Sequence, residues 1–269
     1  MGSDPHSSPI GVFDSGIGGL SILRALRAEL PHENFVYVAD SAHAPYGERD
    51  DAHVIGRSRA ITQQLLAAYG IKALVIACNT ATAAAIQVLR EEHPALAIIG
   101  VEPALKPAVA LSQTRRIGVM ATRGTLGRAK FRTLVDSLAG QADFICQPCD
   151  GLADAIEHQD TTKIIALCAH YTGAMGQFGI NDGGIDTLVL GCTHYPFASV
   201  HLTQLVGPTV RLVDTGEPVA RQTRRKLKTL SPSEVAGQCL LLTTGERASL
   251  QRAAHHWLGL ACPVESLSI

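Results

Sequence analysis

Short runs of apolar and β-branched residues recur along the chain, separated by segments of helical length. Such runs are typical of strands buried on both faces, and their alternation with helices predicts βαβ units with parallel sheets. The predicted strands cover residues 10–13, 34–39, 73–77, 97–101, 116–120, 143–146, 187–190, 210–213 and 239–242. The pattern therefore indicates an α/β fold.

Two of the intervening segments carry helix signals. Residues 19–30 have apolar positions at helical spacing and stop before Pro31, and residues 50–69 stop before Gly70. Proline and glycine are common just beyond the last turn of a helix. The sequence therefore predicts helices over both segments.

A weak internal repeat indicates two similar halves. An Ile-Gly-Val strand at residues 10–12 returns at 117–119, and an apolar run ending in cysteine at 74–78 returns at 188–192. Ligands of open α/β sheets bind at the carboxyl ends of the strands, where each half places its cysteine. We therefore expect two pseudo-symmetric parallel-sheet α/β domains, with the active site in the cleft between them.

The two cysteines that end the repeated runs are the strongest candidates for chemistry. Cys78 precedes Thr80, a good N-cap residue, and a helix N-terminus stabilises a nearby thiolate. Cys192 repeats this context and precedes His194, which can exchange a proton with a neighbouring acid or thiol. A lone buried cysteine is ordinarily a small core hydrophobe. Two cysteines in matching polar contexts favour a functional pair.

A glycine-rich turn follows the first predicted strand and begins at Asp14. In this position Asp14 can hold an ammonium group or orient a thiol. The turn also partly matches a dinucleotide-binding fingerprint, with Gly16, Gly18 and Ser21 followed by Asp40 at the end of the second strand. A tight strand-to-helix turn explains the glycines equally well, but it does not explain an aspartate in an apolar setting.

Two further polar motifs follow predicted strands. In Pro45-Tyr46-Gly47, a phenol beside a glycine N–H can bind a carboxylate, although Pro-x-Gly is often only a turn. Thr122 and Thr125 follow the fifth strand, where their hydroxyls can bind a carboxylate or cap the next helix. Capping is the default interpretation for the threonines.

The composition suits a globular protein. The chain has 269 residues, of which 46% are hydrophobic and 17% charged, with a formal net charge of −1. It is therefore not disordered and has no basic surplus of the kind that nucleic-acid binders carry. Its apolar runs fall far short of the roughly 18 residues that span a bilayer. Residues 1–9 form a polar leader without the features of a secretion signal.

We therefore expect a cytoplasmic protein with neither a nucleic-acid nor a membrane partner. The seven cysteines should be reduced thiols in this compartment. Cys146 and Cys149 have redox spacing, but no thioredoxin-like order surrounds them. The sequence contains no zinc-binding pattern, because His255 and His256 are adjacent rather than one helical turn apart, and no metal is expected.

In their order along the chain, these motifs resemble those of glutamate racemases. The matching blocks are residues 13–20, 45–47, 77–81, 121–125 and 191–196, and the resemblance runs from about residue 10 to at least 214. It implies a first domain of residues 1–103 completed by 212–269, and a second of 104–211. It also implies catalysis without a cofactor. The chain departs from the family pattern at Arg128, Phe131 and Asp150.

The resemblance implies a role for each matching residue. Cys78, supported by Asp14, would be one catalytic base. Cys192, supported by His194, would be the other. Glu157 matches an acidic position near the catalytic histidine. The residues that would bind substrate are Ser15, Asn79, Thr80 and Thr193 at the α-amino and α-carboxylate groups, and Pro45, Tyr46, Gly47, Thr122 and Thr125 near the distal carboxylate.

Inversion at an α-carbon without a cofactor needs a base on one face and an acid on the other. A thiolate and a thiol meet this need and exchange roles at each turnover. By resemblance, Cys78 takes the proton from D-glutamate and Cys192 from L-glutamate. The family also implies D-glutamate supply for peptidoglycan, and a homodimer is one possible assembly.

Several alternatives remain open on the sequence. The same chemistry on aspartate, or on a broader set of acidic amino acids, differs only in how the distal carboxylate is held. A catalytically silent amino-acid binding protein would bind without exchanging the α-proton. A hydrolase or transferase with one nucleophilic cysteine would leave Cys78 unexplained. A pyridoxal enzyme is disfavoured.

Overall fold

The computed structural model describes residues 8–227, 230–231, 234–259 and 262–269, so most of the predicted polar leader lies outside the described residues. All strand pairs of its two sheets are parallel. The strands are β1 (Ile10–Asp14), β2 (Phe35–Ala39), β3 (Ala73–Ile76), β4 (Ala97–Gly100), β5 (Arg116–Ala121), β6 (Asp143–Pro148), β7 (Thr187–Leu190), β8 (Arg211–Val213), β9 (Cys239–Thr243) and β10 (Val264–Ser266).

Helices connect the strands as the α/β prediction requires. They are α1 (Leu20–Glu29), α2 (Asp51–Tyr69), α3 (Asn79–Glu92), α4 (Leu105–Leu111), α5 (Arg123–Leu126), α6 (Ala129–Asp136), α7 (Leu152–Glu157), α8 (Thr161–Met175), α9 (Ser199–Val206), α10 (Gly216–Lys226) and α11 (Arg247–Leu258). Short 3-10 helices cover Ser41–His43, Tyr46–Glu48 and Tyr195–Ala198.

Local signals define the ends of α2, the longest of these helices. The Asp50 side chain accepts a hydrogen bond from the N–H of His53 at 2.8 Å and so caps the first turn. Gly70 follows the last turn with a φ of 57°, a left-handed conformation that glycine adopts without the steric cost of a Cβ atom. The predicted stop before Gly70 is confirmed.

The first unit contains Met1–Val101 and Gly216–Ile269. Its sheet has the strand order β10-β9-β2-β1-β3-β4. The returning chain adds α10, which packs against α1, and then β9, which pairs with β2. The apolar side chains of β1 to β3 are completely or almost completely buried, as expected for strands covered on both faces.

The second unit contains Glu102–Thr215, and its sheet has the order β6-β5-β7-β8. This order repeats β2-β1-β3-β4 of the first unit, so β5 corresponds to β1 and β7 to β3. The two similar halves inferred from the repeat are therefore present as two α/β folds. β8 pairs with β7, which keeps the chain in the second unit until Thr215, a few residues beyond the predicted return at 212.

The nine predicted strands are confirmed, each within two residues of an observed strand at both ends. The sequence pattern missed β10, because this strand has only three residues, Val-Glu-Ser, and its side chains are largely exposed at the sheet edge. Within the described part of the chain, no helix combines the length and the apolar character needed to cross a bilayer.

Candidate active site

Cys78 lies at the N-terminus of α3, directly after β3. Its Sγ accepts a hydrogen bond from the N–H of Ala81 at 3.4 Å, so Cys78 itself is the N-cap. The predicted N-cap at Thr80 is wrong, because α3 begins at Asn79 and places Thr80 inside the first turn. The thiol is therefore closer to the positive end of the helix than expected, an environment that favours the thiolate.

Asp14 approaches Cys78 through Ser15. The fully buried Asp14 carboxylate accepts hydrogen bonds from Ser15 Oγ at 3.1 Å and from the N–H of Gly16 at 2.8 Å. Ser15 Oγ in turn lies 3.9 Å from Cys78 Sγ. The turn needs Gly19, because a Cβ atom there would come within 2.6 Å of the Asp14 side chain. The glycines thus let the backbone pass close to the buried carboxylate.

The Asn79 amide is buried beside Cys78 without a hydrogen-bond partner. Its side chain is 5% exposed, and neither Oδ1 nor Nδ2 is hydrogen-bonded within the structure described. An unpartnered buried amide is costly, and native proteins retain such groups mainly where a ligand or function requires them. We refer to Cys78, Asp14, Ser15 and Asn79 as the first thiol site.

Cys192 follows β7, the counterpart of β3, and contacts a histidine rather than a hydroxyl. Its Sγ lies 3.8 Å from Nδ1 of His194, and Nε2 of His194 lies 2.8 Å from Oε2 of Glu157. Glu157 is the last residue of α7, 37 positions before His194 along the chain. We refer to Cys192, His194 and Glu157 as the second thiol site.

The contacts of the second thiol site favour the protonated form of its histidine. Burial opposes a charge on His194, but hydrogen bonds to Cys192 and Glu157 raise the pKa of the imidazole well above its ordinary value. An imidazolium next to a thiol favours the thiolate and can return a proton to it. The arrangement of carboxylate, imidazole and thiol can therefore carry general acid–base chemistry.

Comparison with known proteins places this chain in a family. The family model of Asp/Glu/hydantoin racemases matches residues 20–223. The chain belongs to this racemase family. A glutamate racemase of Ralstonia nicotianae is 45% identical over 266 residues, which cover 97% of this chain and 94% of the relative. Such relatives identify the chain as an amino-acid racemase, an isomerase.

Two solved structures of racemases share the fold. The Francisella tularensis glutamate racemase in complex with D-glutamate has a TM-score of 0.81 and 26% identity over 98% of each chain. The Escherichia coli glutamate racemase in complex with L-glutamate and the activator UDP-MurNAc-ala also has a TM-score of 0.81, with 29% identity over 97% of this chain and 98% of that chain.

Tyr46 of this racemase makes a different contact from the expected one. Its hydroxyl donates to the buried carboxylate of Asp40, which Arg57 also binds through Nε at 2.9 Å and Nη2 at 2.8 Å. Burial favours the protonated carboxyl, but these hydrogen bonds and that of Thr244 hold the pKa of Asp40 below its ordinary value. The hydroxyl hydrogen is thus engaged by Asp40, and carboxylate binding by Tyr46 and Gly47 remains a prediction.

Asp40 therefore does not serve the dinucleotide fingerprint. A ribose-binding carboxylate must be open to the ligand, whereas Asp40 is completely buried and saturated by side chains of the protein. No sequence motif indicated Arg57, because its contact depends on how α2 packs beside the end of β2. The glycine-rich turn instead shapes the first thiol site.

The threonines after β5 have the capping role that was their default interpretation. Thr122 Oγ1 accepts from the N–H of Thr125 at 3.1 Å and caps α5. The two hydroxyls also hydrogen-bond each other at 3.0 Å. Their predicted contact with a substrate carboxylate remains a prediction, as does that of the buried Thr193.

The remaining predicted positions lie in the second unit. Arg128 donates to the carbonyl of Gly124 at 2.6 Å, Phe131 is buried in the core, and Asp150 forms an exposed ion pair with Arg123. Cys146 is exposed, and Cys149 is 2% exposed, with its pKa raised by burial and by the nearby Cys192 thiol. Among the described residues, no cluster of three or more His, Cys, Asp or Glu side chains is arranged to hold a metal.

Tyr195 lies next to the second thiol site, although it was not among the predicted site residues. It is completely buried, its hydroxyl donates to the carbonyl of Cys149 at 3.3 Å, and its N–H donates to the carbonyl of Cys192. Burial raises the pKa of the phenol well above its ordinary value, with a further contribution from Cys192. Tyr195 therefore stays neutral, and its hydrogen bonds hold the backbone around the Cys192 thiol.

Proposed function

We propose that the chain interconverts L- and D-glutamate by a cofactor-independent proton transfer at the α-carbon, with Cys78 and Cys192 as the two bases. The observation that carries the proposal is the matched placement of the two thiols. Each follows the equivalent strand of its unit, β3 or β7, and each contacts proton-handling groups. A single-nucleophile enzyme has no need of this duplication.

The substrate assignment rests on the relatives. The curated relatives are named glutamate racemases, and two solved neighbours contain D-glutamate and L-glutamate. In this chain Asn79, with an unpartnered amide, is suited to the α-amino or α-carboxylate group of an amino acid. A bound substrate would supply the hydrogen bonds that the buried amide otherwise forgoes.

In the proposed reaction, one cysteine starts as a thiolate and the other as a thiol. The thiolate takes the α-proton, the thiol donates its proton to the opposite face of the carbanion, and the product has the opposite configuration. Cys78 would act as base on D-glutamate and Cys192 on L-glutamate. After release of the product, the two groups have exchanged protonation states, so the enzyme is ready for the reverse reaction.

The carbanion sets the main energetic demand, since the α-proton of an amino acid is very weakly acidic. Hydrogen-bond donors on the α-carboxylate stabilise the developing charge most when they are already oriented. The amide of Asn79 and the hydroxyls of Ser15, Thr80 and Thr193 are the proposed donors. All four side chains are almost completely buried, which limits competition from water.

The decisive experiment incubates the reduced protein with L-glutamate or L-aspartate in D₂O and follows optical rotation and the α-proton resonance. Loss of rotation with deuterium at the α-carbon of glutamate alone is the expected result. Equal turnover of aspartate would show a broader racemase. Binding of glutamate without α-proton exchange would show a silent binding protein. The biological role that fits the proposal is cytoplasmic supply of D-glutamate for peptidoglycan.

A further inference from the structure

Cys239 and Cys262 lie side by side at an edge of the first unit's sheet and belong to neither thiol site. β10 pairs with β9 so that Val264 is opposite Leu241, and the N–H of Leu241 donates to the carbonyl of Pro263 at 3.0 Å. Continuing this register by two residues puts Cys262 opposite Cys239. Because side chains alternate between faces along a strand, both thiols point to the same face.

The geometry of the pair suits a disulfide. Neighbouring strands lie about 4.8 Å apart, and disulfides join residues whose Cα atoms are about 4.4–6.8 Å apart. The nearby Cys262 also raises the pKa of Cys239, as expected of two thiols close to each other. Cys239 and Cys262 can therefore be joined without a rearrangement of the sheet.

The pair is open to a reagent on one side. A cavity of about 710 Å³ is lined by both cysteines and by Arg27, Asn34, Gln238 and Glu265, among others. Cys262 is half-buried, whereas Cys239 is 8% exposed. The guanidinium of Arg27 donates to Cys262 Sγ at 3.9 Å. A cation in this position can attract an anionic reagent.

We propose that Cys239 and Cys262 form a redox-active dithiol that low-molecular-weight disulfides bearing carboxylates oxidise to a protein disulfide. The Cys262 thiolate attacks one sulfur of the reagent, forms a mixed disulfide and releases one thiolate. Cys239 then attacks the Cys262 sulfur and releases the second thiolate, which takes the proton of Cys239. Two protein thiols are oxidised, and the reagent disulfide is reduced to two thiols.

The difference in exposure sets this order of attack, because Cys262 is half-buried whereas Cys239 is almost completely buried. Burial, together with the nearby Cys262, raises the pKa of Cys239 to about 12, so Cys239 is a poor first nucleophile. Arg27 acts in the opposite direction on the same group. When Cys262 becomes a neutral mixed disulfide, its negative charge no longer opposes ionisation of Cys239, while Arg27 remains.

The disulfide would add a covalent link between β10 and the rest of the sheet. β10 is an edge strand of only three residues, and its sole neighbour in the sheet order is β9. A cross-link that closes the chain between residues 239 and 262 restricts the unfolded state more than the folded one. Oxidation should therefore stabilise the first unit.

The test treats the reduced full-length protein with oxidised glutathione, blocks the remaining thiols with an alkylating reagent, and maps the digested peptides by mass spectrometry. The expected product is a peptide pair linked through Cys239 and Cys262. The thermal midpoint of the oxidised protein should rise by several degrees, because the disulfide lowers the entropy of the unfolded state. Reduction should bring the midpoint back to its original value.

Three variants separate the proposal from unspecific oxidation. Cys262→Ala should leave Cys239 unmodified, and Arg27→Gln should slow formation of the pair by about tenfold or less, because the cation that attracts the anionic reagent is lost. Cys146→Ala, which removes an exposed thiol of the second unit, should form the pair at the unaltered rate. Recovery of Cys239 and Cys262 as separate thiols or separate glutathione adducts would overturn the proposal.

Discussion

The two thiol sites occupy equivalent places in the two units and support their cysteines by different means. At the first thiol site, Cys78 caps a helix and lies near the hydroxyl of Ser15, which donates to Asp14. At the second, Cys192 contacts His194, which is held by Glu157. The strand order is shared, whereas the groups that handle the proton are not.

This difference fits a task that is itself asymmetric. The two enantiomers of an amino acid present the α-proton on opposite faces, so a two-base racemase needs a thiol for each face but not identical surroundings for them. A helix N-terminus and a protonated imidazole both favour a thiolate. The imidazolium can also return a proton to the thiolate, which a helix N-terminus cannot do.

The largest expected effect comes from removal of either thiol. Cys78→Ala and Cys192→Ala should each reduce racemisation by at least about 10³-fold, because one face of the α-carbon loses its acid or base. In D₂O, Cys78→Ala should still exchange the α-proton of L-glutamate without inversion, through Cys192, and should not exchange that of D-glutamate. Cys192→Ala should show the reverse pattern. Near-normal racemisation by either variant would refute the two-base mechanism.

The next effect separates the two sites directly. His194→Asn keeps a polar side chain beside Cys192 but removes the proton carrier, so kcat with L-glutamate should fall by about 10²–10³-fold. Steady-state rates in both directions measure this loss, with His170→Asn, an exposed histidine of the same unit, as the control. An unaltered kcat would show that His194 only fills space.

A smaller effect is expected at Asn79, where activity and stability should separate. Asn79→Ala should lower kcat/KM by about 10–100-fold, since the proposed substrate contact is lost. The free energy of unfolding should stay equal or rise, because the substitution removes a buried amide without a partner. Gln87→Ala, on the exposed side of α3, serves as the control. A destabilised Asn79→Ala variant with normal kcat/KM would give Asn79 a structural role instead.

The smallest effect is a pH-dependent one at Glu157. Burial lowers the pKa of His194, whereas hydrogen bonds to Cys192 and Glu157 raise it. Glu157→Gln keeps the size of the side chain but removes the charge of Glu157. A group with a raised folded-state pKa stabilises the protein fully below its unfolded pKa, about 6.5 for histidine, and this stabilisation is lost as pH rises through the folded pKa.

The variant should therefore be destabilised by about 1–3 kcal/mol near pH 6, the contribution expected of a charged hydrogen bond. The difference from the unaltered protein should shrink as pH rises. Urea unfolding at several pH values measures it. A difference that grew with pH would mean that His194 is neutral in the folded protein.

Much of the fold was predictable because strands buried on both faces consist of short, continuous runs of apolar or β-branched residues. Residues 187–190 are uniformly apolar or β-branched, and the predicted strand coincides with β7. Edge strand β10 has no such run, because its glutamate and serine are exposed to solvent at the edge of the sheet. The N-cap of α3 was predicted at Thr80, two residues after its true position at Cys78. The start of a helix depends on the backbone direction at the end of the preceding strand, which the sequence pattern does not show.

The sequence by itself determined the α/β alternation, the repeat that pairs Cys78 with Cys192, and the motifs that resemble a racemase family. All of these depend on residues close together in the chain. The resemblance also indicated Glu157 near His194, and the structure shows that contact. Only the tertiary structure decided that Arg57 meets Asp40 and that Cys262 lies beside Cys239. Those contacts depend on sheet register and helix packing, which arise when the whole chain buries its apolar surface. No single segment of the sequence determines them.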